Sequence, residues 1–119
     1  MASHNDFGRE AEQTAVRYLQ QKGYEILERN WRFQKAELDI IAMKDNTLVV
    51  VEVKARTSDY FGAPESFVNP RKMKLIVQAT QEYITRNDLD LEVRFDIISI
   101  LKNRYKEELE HIENAFYWF

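Results

Sequence analysis

The sequence predicts an α/β fold, a mixed sheet of about five strands in the order α-β-β-β-α-β-β with the helices packed against it. Three observations carry this. Residues 6–22 and 70–87 have apolar side chains at helical spacing and the punctuation of helix ends. Between them, Leu38-Asp39-Ile40-Ile41-Ala42 and Leu48-Val49-Val50-Val51 flank a polar Lys44-Asp45-Asn46 segment, the pattern of a β-hairpin whose turn residues tolerate positive φ. The stretch from Lys54 to the strand expected over 91–101 is long enough for a right-handed crossover, which makes one strand pair parallel.

The first helix has Asp6 as N-cap and Gly23 as stop, with Phe7, Ala11, Ala15, Tyr18 and Leu19 as its apolar stripe. Glu12 falls on the edge of that stripe and leans toward the sheet. By itself it reads as a boundary glutamate or a partner for a nearby arginine. Residues 24–33 form a strand with a bend around Glu28 to Asn30. Trp31 and Phe33 are packing groups, and for a surface Trp31 beside Arg29 and Arg32 the alternative is stacking on a base. The central hairpin comes next.

After Lys54, residues 55–68 carry Ser58, Asp59, Gly62 and Pro64, which is loop chemistry. Arg56, Tyr60 and Phe61 there either contact a substrate or order a connector. Asn69-Pro70 opens the second helix as N-cap and first helical residue, with Met73, Ile76, Val77, Thr80, Tyr83 and Ile84 inward, Lys72 on the border, and Arg71 and Lys74 outward. Residues 102–108 form a polar turn before a short last strand around His111 to Ala115. The chain then reads Phe116-Tyr117-Trp118-Phe119, aromatics that either dock on the core or form a self-association patch. His4 and His111 lack neighbours at metal-binding spacing, which makes them structural or surface residues.

The hairpin carries charge where a buried strand should not. Side chains alternate along a strand, so Leu48, Val50, Glu52 and Lys54 share one face, and Glu37, Asp39 and Ile41 share another. A two-residue turn at Asp45-Asn46 sets Asp39 opposite Glu52 and Glu37 opposite Lys54. Carboxylates about 5 Å apart repel by roughly 3 kcal/mol at an effective dielectric of about 20, a cost that a shared proton or a divalent cation relieves. Oxygen ligands alone suit Mg²⁺, which keeps several waters and takes one or two protein carboxylates. Lys54 stands beside such an ion, a layout for phosphodiester cleavage. The residues alone support equally a metal site and a solvated, salt-bridged face.

Composition sets the frame. The 119 residues suit one domain with a modest core, and 45% hydrophobic with 31% charged residues describes a globular chain. There is no cysteine, which removes disulfides and thiolate zinc sites. No long apolar segment or leader pattern is present, so a soluble, cytoplasmic protein is expected. The net charge of −3 argues against a nucleic-acid coat protein but not against a nuclease, whose acidic cluster a cation offsets. Basic residues gather around the hairpin, at Arg29, Arg32 and Lys35 before it and at Lys54, Arg56, Arg71, Lys72 and Lys74 after it.

Gly8-x-x-Ala11-Glu12, Gly23-Tyr24, Arg29-Asn30, Glu37-Leu38-Asp39, Val51-Glu52-Val53-Lys54-x-Arg56 and Arg94-Phe95-Asp96 together resemble the YraN-like proteins. These are small bacterial proteins grouped with the PD-(D/E)xK nuclease superfamily and similar in their core to archaeal Holliday-junction resolvases. The resemblance runs from about Gly8 to Asn114-Ala115-Phe116, and Ala36 departs from it, standing where the family has Gly.

The resemblance implies a restriction-endonuclease-like sheet, with Asp39 and Glu52 as ligands of Mg²⁺ or Mn²⁺ and Lys54 as the catalytic lysine. It also implies that Glu12 is the helix-borne acid of the cluster, with Glu37 in support. Lys72 matches a recurrent family lysine, and with Arg56 it would contact nucleic acid. The function implied is metal-dependent cleavage of DNA, branched DNA if the junction likeness extends that far, by two protomers acting together. The alternatives are a non-catalytic nucleic-acid-binding or protein-interaction module that keeps the fold, and an adaptor working through the aromatic C-terminus.

Overall fold

A computed structural model describes residues 3–58 and 68–116, with side chains from residue 6 onward. Helices α1 (Ser3–Gln21) and α2 (Pro70–Arg86) flank a sheet of β1 (Glu25–Phe33), β2 (Ala36–Lys44), β3 (Thr47–Arg56), β4 (Glu92–Lys102) and β5 (Glu107–Phe116). The strands lie side by side in chain order, antiparallel except for the parallel pair β3–β4, which α2 connects. This is the predicted five-stranded mixed α/β architecture, and the helix order agrees.

The two faces of β3 explain its uninterrupted aliphatic run. Val49 and Val51 pack with Ala11, Ala15, Val16 and Leu19 of α1, whereas Leu48 and Val50 pack with Ile76, Ala79 and Tyr83 of α2. A central strand covered on both sides has no solvent face to mark with polar residues. Burying each such Val or Leu contributes roughly 1.5–3 kcal/mol.

The helix ends follow local chemistry. Asn69 Oδ1 accepts from the Lys72 amide at 2.9 Å, and Pro70 sits at the first helical position. At the end of α1, Gly23 takes φ +92°, and the Tyr24 amide reaches back to the Leu19 carbonyl at 2.9 Å, a Schellman closure. The start of α1 differs from expectation. The helix begins at Ser3 and Asp6 lies within its first turn, where its charge still complements the exposed amides.

Two strand boundaries also differ. Strand β3 continues through Ala55 and Arg56, so the connector starts later, and β5 begins at Glu107 rather than near His111. An edge strand tolerates a run of charged side chains because one face and one backbone edge meet water. Asn103 makes the β4–β5 turn, its side chain accepting from the amides of Tyr105 and Lys106 at 2.8 and 3.0 Å. The bend in β1 takes the form of a register shift between Ile26 and Glu28 and a positive φ of 53° at Asn30. Tyr60, Phe61 and the terminal Tyr117, Trp118 and Phe119 lie outside the described residues, as does the side chain of His4. Phe116 is buried and stacks on Phe95, with ring centroids 5.1 Å apart.

A polar network ties α1, the α1–β1 turn, β4 and β5 together on the α1 side. Asp96, fully buried, accepts from Arg94 Nε and Nη2 at 2.9 and 2.8 Å and from the Asn114 amide at 3.0 Å. Its Oδ2 also meets His111 Nε2 at 2.7 Å. Burial pushes the Asp96 carboxyl upward, but the bonds from His111, Arg94 and Asn114 outweigh it and hold the group below its ordinary range. An ionised Asp96 requires the hydrogen on Nε2, which in the neutral ring leaves Nδ1 to accept from the Tyr18 hydroxyl at 3.0 Å. Arg94 Nη2 closes the set by donating to Tyr24 Oη at 2.6 Å. Asp96→Ala leaves Arg94 and His111 without their shared acceptor, and urea unfolding should show a loss on the order of 3 kcal/mol. Asp96→Asn, which keeps the shape and one acceptor, should lose less.

Candidate functional site

The site begins at the hairpin turn. Asp45 and Asn46 take φ of 51° and 64°, the left-handed pair that a two-residue type I′ turn requires. Pairing then runs from Lys44↔Thr47 to Ile40↔Val51 in the expected register. Hydrogen-bonded pairs alternate along an antiparallel ladder, so the next would join Leu38 to Val53. That pair is absent from the β2–β3 ladder. The Val53 amide donates instead to Asp39 Oδ2 at 2.9 Å. A side chain takes the place of a backbone carbonyl, and the two strands part at the point where Asp39 and Glu52 stand.

The divergence corrects the simple alternation expected for β2. Ala36 and Leu38 pack in the same cluster as Ile41, while Ile40 and Ala42 pack on the α1 side. Alternation therefore slips by one residue at Asp39, because its side chain is turned along the sheet toward Val53 rather than out of either face. Asp39 and Glu52 converge across a gap between strands, not as a paired rung of the ladder.

Asp39, Glu52, Glu37, Lys35, Lys54 and Lys72 line one cleft of about 430 Å³, floored by Leu75 and Ile76 of α2. Glu52 is 5% exposed. Its Oε1 lies 3.3 Å from Lys72 Nζ, and its buried Oε2 has no hydrogen-bond partner among the described residues. Burial, and then the neighbouring Asp39 charge, push the Glu52 carboxyl up to about 8, against the opposing pull of Lys72. Burial likewise raises Asp39 to about 6, helped by the charges of Glu12 and Glu37 and opposed by the Val53 amide and Lys72. Two carboxyls resisting ionisation around an orphaned oxygen make a site that gains from a cation. Among the described residues no group of three or more candidate metal ligands occurs, so a cation here would complete its shell with water, as Mg²⁺ does.

The other expected residues are distributed unevenly. Glu12 stays on the α1 side, where Asn30 Nδ2 donates to it at 2.9 Å and Arg29 lies 3.9 Å away. It reaches the cleft only through its charge on Asp39. Glu37 lines the cleft, and its carboxylate also meets Arg32 Nε at 3.3 Å across the β1–β2 ladder. Arg56 follows Lys54 by two residues on β3, beside Leu101 of β4. Trp31 is partly buried and meets Tyr83 edge-on at 5.2 Å, as a packing group does. Two residues escaped the sequence reading. Lys35 joins the cleft from the β1–β2 turn. Ser99, a hydroxyl within the aliphatic run of β4, pairs with Lys54 in register, and its buried Oγ has no partner among the described residues. The lone polar residue in Ile97-Ile98-Ser99-Ile100 was the available signal.

A family model described as "Uncharacterised protein family UPF0102" matches residues 11–100, a span that takes in Glu12, Asp39, Glu52, Lys54 and Lys72. The chain is 58% identical over 119 residues to a UPF0102 protein of Flavobacterium psychrophilum, with both chains covered in full. Identity to a UPF0102 protein of Christiangramia forsetii is 50% over 119 residues, again covering both chains in full. To one of Phocaeicola vulgatus it is 47% over 117 residues, 98% of this chain and 97% of the relative.

The raised carboxyls set a pH dependence. Both groups bind protons more tightly folded than unfolded, so stability without metal falls as pH rises from about 4 through their folded values near 6 and 8. Denaturant midpoints should drop between pH 5 and pH 8.5. Glu52→Gln should flatten much of that slope and stabilise the protein at pH 8.5 by on the order of 1–2 kcal/mol.

Proposed function

From a chain that belongs to the bacterial UPF0102 family and carries this cleft, we propose a metal-dependent hydrolase of DNA phosphodiesters. The observation that carries the reading is the pair Asp39 and Glu52 at the splayed end of the hairpin, with an orphaned buried oxygen on Glu52 and three lysines around the rim. Acidic floor and cationic rim suit a ligand that is itself a phosphate plus a divalent ion. Asp39 and Glu52 would hold Mg²⁺ or Mn²⁺. When bound, such an ion polarises the scissile phosphate and lowers the pKa of an attacking water.

The chain's own residues supply the rest. Asp39 is held in place by the Val53 amide, so its free oxygen has a fixed direction. Lys54, two residues beyond Glu52 on the same face of β3, brings an ammonium to the charge that develops on the phosphoryl oxygens or orients the water. Lys72 lies against Glu52 in the empty cleft, and if a cation held that carboxylate its ammonium would be left for the phosphate backbone. Glu12 tunes Asp39 by its charge, and Glu37 supports the same carboxylate edge. Arg56 adds a phosphate contact that positions without specifying sequence. No helix among the described residues is long and apolar enough to cross a membrane.

The test is incubation of the purified protein with linear, nicked, flapped and four-way DNA in Mg²⁺, Mn²⁺ and EDTA, beside Asp39→Ala, Glu52→Gln and Lys54→Ala. Scission should require the metal and fall at least about 100-fold in each variant. Binding without scission in any metal would replace the hydrolase with a binding module.

A further inference from the structure

The cleft does not end at the carboxylates. A second depression of about 330 Å³ adjoins it, sharing Lys35, Ala36 and Leu75, and a third of about 350 Å³ adjoins the second, sharing Phe33, Gln34 and Gln78. Together they form one groove between the β1–β2 turn and the outer stripe of α2. Along α2 its wall is Leu75, Gln78, Gln81 with Glu82, and Thr85, which share a face, with Lys72 one ridge round the helix beside Leu75. From Lys72 to Thr85 the helix rises about 20 Å. That length matches about six nucleotides at the stacked spacing of about 3.4 Å, and fewer in an extended strand.

The lining changes character along the way. At the carboxylates it is charged, with Lys35, Lys54 and Lys72 at hand. Beyond Lys35 the described lining holds no further cation, and three amide side chains, Gln34, Gln78 and Gln81, take over. The one acid there, Glu82, is neutralised by Arg86 Nε at 2.7 Å. Phe33 is partly buried, and the Arg86 guanidinium stands 5.6 Å from its ring centroid. Phosphates require free cations, and Arg86, which stands beside this outer stretch, is already engaged by Glu82. Bases require hydrogen-bonding edges and an aromatic face, which the stretch has.

We propose that the outer groove seats a single-stranded DNA tail, its bases turned inward on Phe33 and the glutamines, continuous with the phosphate at Asp39 and Glu52. A duplex would turn a phosphate backbone toward an uncharged wall, and its paired bases could not reach the amides. The inference rests on the cleft being a phosphodiester site. It specifies the substrate as DNA with an unpaired strand leaving the cut position, such as a flap or an overhang.

The test compares affinity of the full chain, in Ca²⁺, for a fluorescent blunt duplex and for the same duplex carrying a six-nucleotide tail on either the 3′ or the 5′ end. One tail polarity should bind about tenfold tighter than the blunt form, the size expected from one or two stacked bases. Because the gain does not come from phosphate contacts, it should persist between 50 and 200 mM salt. Gln78→Ala, an exposed helical position where Ala is a good helix former, and Phe33→Ala should each shrink the tail-to-blunt ratio at least threefold. A ratio of one, or a ratio unchanged in both variants, overturns the groove while leaving the cleft intact. Failure to bind any of these DNAs overturns the reading of the cleft, and the groove with it.

Discussion

One missing backbone pair organises the functional end of this protein. The central hairpin is held by a strict two-residue turn and by aliphatic side chains buried on both faces. It would continue to pair if nothing intervened. At Asp39 the side-chain carboxylate takes the Val53 amide that a backbone carbonyl would otherwise take. An amide left unpaired in that position would cost on the order of 1–3 kcal/mol, so the substitution is what allows the strands to separate without penalty. The separation leaves room for a cleft, and it aims a second carboxylate, Glu52, into the opening.

The cost of the arrangement is concentrated on Glu52. Its side chain is almost wholly removed from water, one oxygen is matched by Lys72, and the other is matched by no described group. Folds do not usually keep such a group for stability, because an apolar residue of similar volume would do better there. A carboxylate kept at a cost, beside a second one, is expected where a ligand removes the cost. The lysines that line the cleft stand beside these carboxylates, so both signs of charge are gathered in one opening.

The opposite face shows how similar chemistry reads when it is structural. Asp96 is as deeply buried as Glu52, yet both its oxygens are satisfied by Arg94, His111 and the Asn114 amide, and its carboxyl is driven down rather than up. A saturated carboxylate fastens α1 and the turn after it to the β4–β5 edge. An unsaturated one, on the other side of the same sheet, marks a site. The difference lies in the donor count around each oxygen rather than in residue type.

Much of this was legible in the sequence. The Asn69-Pro70 cap, the Gly23 stop, the Asp45-Asn46 turn and the unbroken aliphatic run of β3 depend on interactions within a few residues, so local pattern determined the element order, the hairpin register as far as Ile40 and Val51, and the placing of Asp39 and Glu52 in one region. Those signals act through backbone dihedrals and side-chain periodicity, which a sequence states directly. What the tertiary structure decided depends on contacts between distant segments. It splayed the hairpin beyond Ile40 and Val51 and slipped the alternation at Asp39, left Glu12 on the α1 side with Asn30, and brought Lys72 from α2 onto Glu52 and Lys35 from the β1–β2 turn into the cleft. It also assembled the Tyr18, Tyr24, Arg94, Asp96 and His111 network from α1, the turn after it, β4 and β5. Burial and donor count are properties of the packed chain, and they alone separate a carboxylate whose oxygens are all matched from one that keeps an unmatched oxygen.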